Sequence, residues 1–234
     1  MNSGYVFSET STGILSGRVE FHGQSIPEPE KFPVKVNQDQ CGKEIESEAL
    51  IIGQNSKGIK NVIITLESQD HVPVKYPFSP SLAFKIDKCR FSPHIIIIQN
   101  GTGINIENKD SILHNIFFLF EDHNAFNTII TPTSNATTKQ FDRPGFVQVK
   151  CNLHPFMEGY LMVTDTPYFT LTDKEGTFSI PDIPAGKYLL MVRHEMFEPI
   201  EKTIEIKPNI KLNLFLGFRE SEKVDLYFSL KSLK

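Results

Sequence analysis

Phe146-Val147-Gln148-Val149-Lys150-Cys151-Asn152-Leu153-His154-Pro155-Phe156-Met157 is the stretch on which the reading of this chain turns. Phe146–Lys150 reads as a β-strand. Directly after it, Cys151, His154 and Met157 occupy positions 1, 4 and 7 of a short loop. A strand that ends at Cys151 and turns sharply can aim a thiolate, an imidazole and a thioether at one point. Two soft sulfur donors with an imidazole suit copper better than zinc, calcium or magnesium. A trigonal copper centre asks for two imidazoles and one thiolate, with a distant thioether, so one histidine is still needed.

Asn108-Lys109-Asp110-Ser111-Ile112-Leu113-His114-Asn115-Ile116 supplies it, placing His114 where a loop enters a strand. This stretch resembles the Asn-x-Asp-x-x-x-His-Asn-Val signature of cupredoxins, the family of plastocyanins and amicyanins. Upstream, Phe91-Ser92-Pro93, Ile95–Ile98 and Gly101 resemble that family's opening strand, and Cys-x-x-His-Pro-Phe-Met resembles the amicyanin ligand loop. The resemblance implies a Greek-key β-sandwich holding one type 1 copper. His114, Cys151 and His154 would be its equatorial ligands and Met157 its axial one. It further implies that Asn115 ties the two ligand loops together by hydrogen bonds. His154 would be the electron exit, its ring edge emerging through an apolar patch supplied by Pro155 and Phe156. Glu158 stands where amicyanin-like loops often carry a basic residue, so a shared redox partner does not follow. Taken singly, a cysteine after a strand is a small buried hydrophobe and a methionine is core filler; the four donors in order carry the metal reading.

Outside this region, short runs rich in Val, Ile and Phe recur between Gly, Pro, Asn and Asp clusters, with almost no helical period. Strands are expected at 16–21, 61–66, 95–98, 104–106, 115–120, 160–163, 177–180, 188–192, 203–206, 211–216 and 224–230. Only Asn124–Ile130 has the look of a helical turn, so the fold class is all-β. Asp173-Lys174-Glu175-Gly176 reads as a hairpin turn whose glycine takes positive φ, and Ile183-Pro184-Ala185-Gly186 as the closure of the next strand pair. The pattern Thr172-Asp173-x-x-Gly176-x-Phe178-x-Ile180 … Pro184-x-Gly186-x-Tyr188-x-Leu190 resembles the carboxypeptidase regulatory-like domain, a transthyretin-like β-sandwich. That family's opening Gly-x-Val strand is matched by Gly17-Arg18-Val19, far upstream. The expected organisation is therefore a smaller sandwich split over residues 13–75 and 165–218, a cupredoxin domain at 76–164 inserted into it, and an extra C-terminal strand in 219–234.

Composition narrows the function classes. Lys and Arg number 24 against 28 Asp and Glu among 234 residues, with no basic block, which argues against nucleic-acid binding. The apolar runs Ile95–Ile98 and Ile116–Phe120 are far too short to span a bilayer. His22, His71, His94, His123 and His194 fall at no ligand spacing and are expected to be structural or exposed. With Cys151 on the metal, Cys41 and Cys89 are left either to pair across the boundary between sandwich and insert or to remain two thiols. A bridge implies an oxidising compartment. The first residues carry no basic or apolar leader, so the chain is either cytosolic or lacks a removed signal segment; a periplasmic or cell-envelope location is the expectation. A copper enzyme is disfavoured, because copper oxidases and nitrite reductases flank the copper cysteine with histidines, whereas Lys150 and Asn152 flank Cys151. The leading function is electron transfer to a redox partner that the residues do not identify. The alternative is a non-redox envelope scaffold or a copper-buffering module.

Overall fold

The computed structural model describes residues 11–70, 82–120, 123–132 and 136–219, with only the backbone of 123–125. The protein is all-β. In chain order the elements are β1 (Thr12–Phe21), β2 (Lys31–Pro33), the short helix α1 (Gln38–Cys41), β3 (Glu44–Glu46), β4 (Ile63–Ser68), β5 (Leu82–Asp87), β6 (Arg90–Ser92), β7 (Ile95–Gln99), β8 (Gly103–Asn108) and β9 (His114–Phe120). There follow β10 (His123–Ile130), β11 (Thr137–Gln140), β12 (Gly145–Cys151), β13 (Glu158–Thr164), β14 (Tyr168–Leu171), β15 (Thr177–Pro184), β16 (Gly186–His194), β17 (Phe197–Ile206) and β18 (Lys211–Phe218). The strand expected at 224–230 lies outside the described residues.

The chain divides into two units. Described residues 11–26, 51–70 and 168–219 form one of them, built from a three-stranded sheet ordered β15-β1-β18 and a four-stranded sheet ordered β14-β4-β16-β17. Strand β1 runs antiparallel to β15 and parallel to β18. Leu15, Val19, Leu214, Leu216 and Phe218 of one sheet are buried, as are Ile64, Leu66, Leu190, Val192 and Ile204 of the other. The two sheets meet where Phe197 of β17 stacks on Phe218 of β18, ring centroids 4.5 Å apart. The turn at 173–176 forms as read: Gly176 has φ 76°, and a Cβ there would lie 2.3 Å from the Val19 carbonyl oxygen. It does not join a ladder pair, however, because β14 and β15 belong to different sheets. Residues 183–186 likewise connect β15 to β16 across sheets rather than closing a strand pair. Local turn chemistry fixes the direction of the chain there, not the strand it will pair with.

The second unit comprises described residues 27–50, 82–120, 123–132 and 136–167. Segment 27–50 thus belongs with the unit that carries the histidine and cysteine donors, not with the split sandwich to which the sequence reading gave it. A five-stranded sheet ordered β10-β9-β12-β13-β7, a four-stranded sheet ordered β11-β8-β5-β6 and the β2–β3 pair make up this unit. One apolar cluster joins Phe84, Ile86, Ile104 and Ile106 to Ile116, Phe118, Val147, Val149 and Leu161. Asn124–Ile130 is no helical turn. It is part of β10, paired antiparallel with β9 from Phe120 to His114. A ladder made with a neighbouring strand overrides weak local preference.

Candidate metal centre

Period-two geometry brings the site together. In β9 the residues facing inward are His114, Ile116, Phe118 and Phe120; in β12 they are Val147, Val149 and Cys151. The strands are antiparallel neighbours with Cys151 opposite Ile116, so the thiol emerges beside the imidazole of His114. The chain then turns tightly. The Met157 amide donates to the His154 carbonyl at 2.8 Å, and that of Cys151 to the Met157 carbonyl at 3.3 Å. Asn152 fastens this loop to the start of β9, donating its amide to the Asn115 carbonyl at 2.9 Å and its side chain to the Asn115 side-chain oxygen. Asn115 therefore does link the two loops.

His114 and His154 have no exposed surface, Met157 is 1% exposed and Cys151 2%. The Cys151 Sγ lies 3.8 Å from Nδ1 of His114 and 3.6 Å from Nδ1 of His154. Both imidazoles thus turn the same nitrogen toward the sulfur, and each uses Nε2 elsewhere. Nε2 of His114 is 3.0 Å from Oδ2 of Asp110, and Nε2 of His154 is 3.1 Å from Oδ1 of Asn37. A carboxylate and an amide oxygen can only accept, so a proton sits on each Nε2 while Nδ1 of each ring is the nitrogen that faces the sulfur.

Asp110 is 2% exposed and saturated: Oδ1 accepts from the Lys88 amide (2.6 Å) and from Nε2 of Gln40 (2.9 Å), and Oδ2 from the Cys89 amide (2.9 Å) and His114. Burial pushes this carboxyl upward, but the His114 hydrogen bond and the Cys89 and Lys88 amides outweigh it and hold it below the usual range. Burial also works against a charged His114, yet Asp110 and Cys151 hold that imidazole above its ordinary value. His154 is pushed down, by burial and by the charge of His114. For Cys151 burial raises the thiol, and hydrogen bonding to His114 and to the amides of Leu153, Asn115 and His154 lowers it further than burial lifts it.

One expectation fails. His154 does not reach the surface, because Asn37 and the segment around it cover its outer edge. Pro155 is exposed and Phe156 half-buried, so an apolar rim is present without a histidine edge emerging through it. Cys41 and Cys89 form a disulfide, but within the second unit, since both residues belong to it. Glu158 is taken by Lys150, its ladder partner, at 2.5 Å. Among the remaining histidines, His94 and His194 are buried away from the donors and His22 is partly exposed. The side chains of His71 and His123 lie outside the described residues.

Sequence reasoning missed Asn37, Gln40 and the role of Asp110. Asp110 was visible inside the Asn-x-Asp-x-x-x-His motif; Asn37 sits 117 residues from the histidine it touches and left no signal. No family model and no curated protein sequence matches the chain. Similar solved structures are cupredoxins and copper proteins. A purple cupredoxin from Nitrosopumilus maritimus is 23% identical, covering 36% of this chain and 100% of its own, with TM-score 0.32. Amicyanin from Paracoccus versutus is 21% identical over 43% of this chain and 97% of its own, with TM-score 0.34. A copper-containing nitrite reductase from Thermus scotoductus is 18% identical over 41% of this chain and 25% of its own, with TM-score 0.33.

Proposed function

We propose that the second unit holds one type 1 copper ion and that the protein carries single electrons. The observation behind this is the paired arrangement of the imidazoles: both present Nδ1 to the Cys151 sulfur while Asp110 and Asn37 occupy their Nε2 atoms. Two nitrogens, a thiol lowered toward its thiolate, and the thioether of the buried Met157 fit a soft, redox-active ion. Bound copper supplies a one-electron couple. His114 and His154 would hold it through Nδ1, Cys151 through Sγ and Met157 as the weak fourth donor. The hydrogen bonds at Nε2 keep both rings from turning, so the donor set need not rearrange between oxidation states. The surrounding Ile116, Val149 and Phe118 keep water away.

The disulfide agrees with an oxidising periplasmic or envelope location. The split unit is read as a non-catalytic sandwich of carboxypeptidase regulatory-like type, and the protein as no enzyme, since Lys150 and Asn152 rather than histidines flank Cys151. A copper-buffering role is the second reading, favoured by the complete burial of His154.

One equivalent of Cu(II) added to reductant-free protein, followed by visible and electron paramagnetic resonance spectra, tests the proposal. An intense thiolate-to-copper band that disappears in Cys151→Ala is expected; no band with Cys151 reduced refutes it. Repeated oxidation and reduction against a chelator separates the two roles, because a carrier keeps its metal through the cycles and a buffer loses it.

A further inference from the structure

Segment 27–50 closes over the candidate metal centre, and among the described residues few contacts besides the disulfide hold it there. Val34 and Ile45 are its main buried apolar side chains, and Arg90 pairs with Glu48 at 3.1 Å. From this segment Asn37 accepts from Nε2 of His154. Gln40 donates to Asp110 and accepts from the Ser111 amide (3.2 Å) and hydroxyl (2.6 Å). The Cys41–Cys89 bond joins α1 to the β5–β6 turn across 48 residues of sequence. Both of its sulfurs lie within 4.8 Å of a ring nitrogen of His154, and Cys89 is as close to the donor atoms of Asp110 and His114. The covalent link thus sits directly behind the residues that face Cys151.

We propose that segment 27–50 is a strap over the metal centre and that the Cys41–Cys89 disulfide is its redox latch. With the bond formed, Asn37 stays on His154 and the donor set is sealed from water and competing ligands. A dithiol reductant delivers two electrons and two protons, the S–S bond breaks, Cys41 and Cys89 become thiols, and the reductant closes its own disulfide. The strap is then held by a few hydrogen bonds and two apolar side chains, so it opens locally while the sheets stay folded. The purpose of the latch, controlling how the metal enters and leaves, rests on the copper reading; its protection of Cys151 does not.

The test therefore uses metal-free protein and reads Cys151 directly. Iodoacetamide labelling mapped by mass spectrometry follows its rate in wild type and in Cys41→Ser/Cys89→Ser, where it is the one cysteine left of three. Labelling at least about tenfold faster in the double variant, with cooperative thermal unfolding retained, is the expected result. Equal rates in the folded variant overturn the latch. Should the double variant fail to fold, Asn37→Gly combined with Gln40→Ala is labelled with the disulfide intact and again in a pulse of dithiothreitol while its circular dichroism is still native. Asn37 has φ 57° and ψ 37°, a left-handed conformation that glycine takes without strain, so only the side-chain contact is lost. Labelling near the wild-type rate with the bond intact and severalfold faster within the pulse supports the proposal; labelling already fast with the bond intact, or unchanged in the pulse, overturns it. A visible copper band together with equal Cys151 reactivity would sink the latch and leave the copper reading standing. No band with a clear difference in labelling would do the reverse.

Discussion

Asp110→Asn is the substitution that asks most of the structure. The side chain keeps its shape, but one acceptor oxygen becomes a donor. Each carboxylate oxygen accepts two hydrogen bonds: Lys88 and Gln40 on Oδ1, Cys89 and His114 on Oδ2. Whichever way the amide is turned, two donors are satisfied and two meet an NH2 group in the interior. A buried donor left without an acceptor costs about 1–3 kcal/mol, so two cost about 2–6 kcal/mol, at the lower end if half-buried Gln40 swings away. The adjoining turn adds to this, since Lys88 and Cys89 have φ 50° and 56°, unfavourable for side chains with a Cβ and compensated by their amides on the carboxylate. Urea unfolding of metal-free protein, with tertiary structure of the second unit as the signal, measures it. A loss below about 0.5 kcal/mol would refute the claim that Asp110 organises this corner.

Two glycines form a matched pair. Gly176→Ala meets the Val19 carbonyl at 2.3 Å as well as an unfavourable φ of 76°, and should cost more than about 2 kcal/mol; Gly101→Ala, with φ 80° and open space around it, should cost about 1 kcal/mol, both by thermal melts. Equal losses would mean that steric approach contributes nothing at Gly176. Burial lifts the Asp173 carboxyl, but hydrogen bonds from Thr177 and Glu175, with the charge of Arg18, bring it below its ordinary range. A carboxyl lowered in the folded state stabilises above its unfolded pKa and ceases to do so as pH falls through the folded one. The stability gap between wild type and Asp173→Asn should therefore be constant near neutrality and close as pH falls below about 4, as acid titrations of unfolding would record. Met157→Leu conserves volume and should change stability by less than about 1.5 kcal/mol, while altering the reduction potential of copper-loaded protein in voltammetry. An unaltered potential would remove Met157 from the donor set.

The places of Cys151 and His114 were legible because strand alternation does the geometric work locally: with Val147 and Val149 facing inward, Cys151 must follow, and His114 leads Ile116 and Phe118 in the same way. What surrounds them was not legible. Asn37, Gln40 and Cys41 reach the site through long-range closure: Asp110 lies four residues from His114, but no short window contains both His154 and its acceptor Asn37. The same limit explains the two misread turns. Asp173-x-x-Gly176 encodes a reversal, but whether the outgoing strand pairs with the incoming one depends on β1 and β4, more than a hundred residues earlier. Asn124–Ile130 likewise becomes a strand through the neighbouring β9.

The parallel pairing of β1 with β18 has a consequence for synthesis on the ribosome. Ser16 and Asn213, which bond across that ladder, are 197 residues apart, and the other neighbour of β1 is β15. The first strand therefore emerges long before either partner exists. Every described element of the second unit, with its disulfide, is complete by residue 167. That unit can fold during translation while β1 waits with both edges unpaired, a state that invites association with other nascent chains. Strands β15 and β18 are then the event that retires this exposed strand.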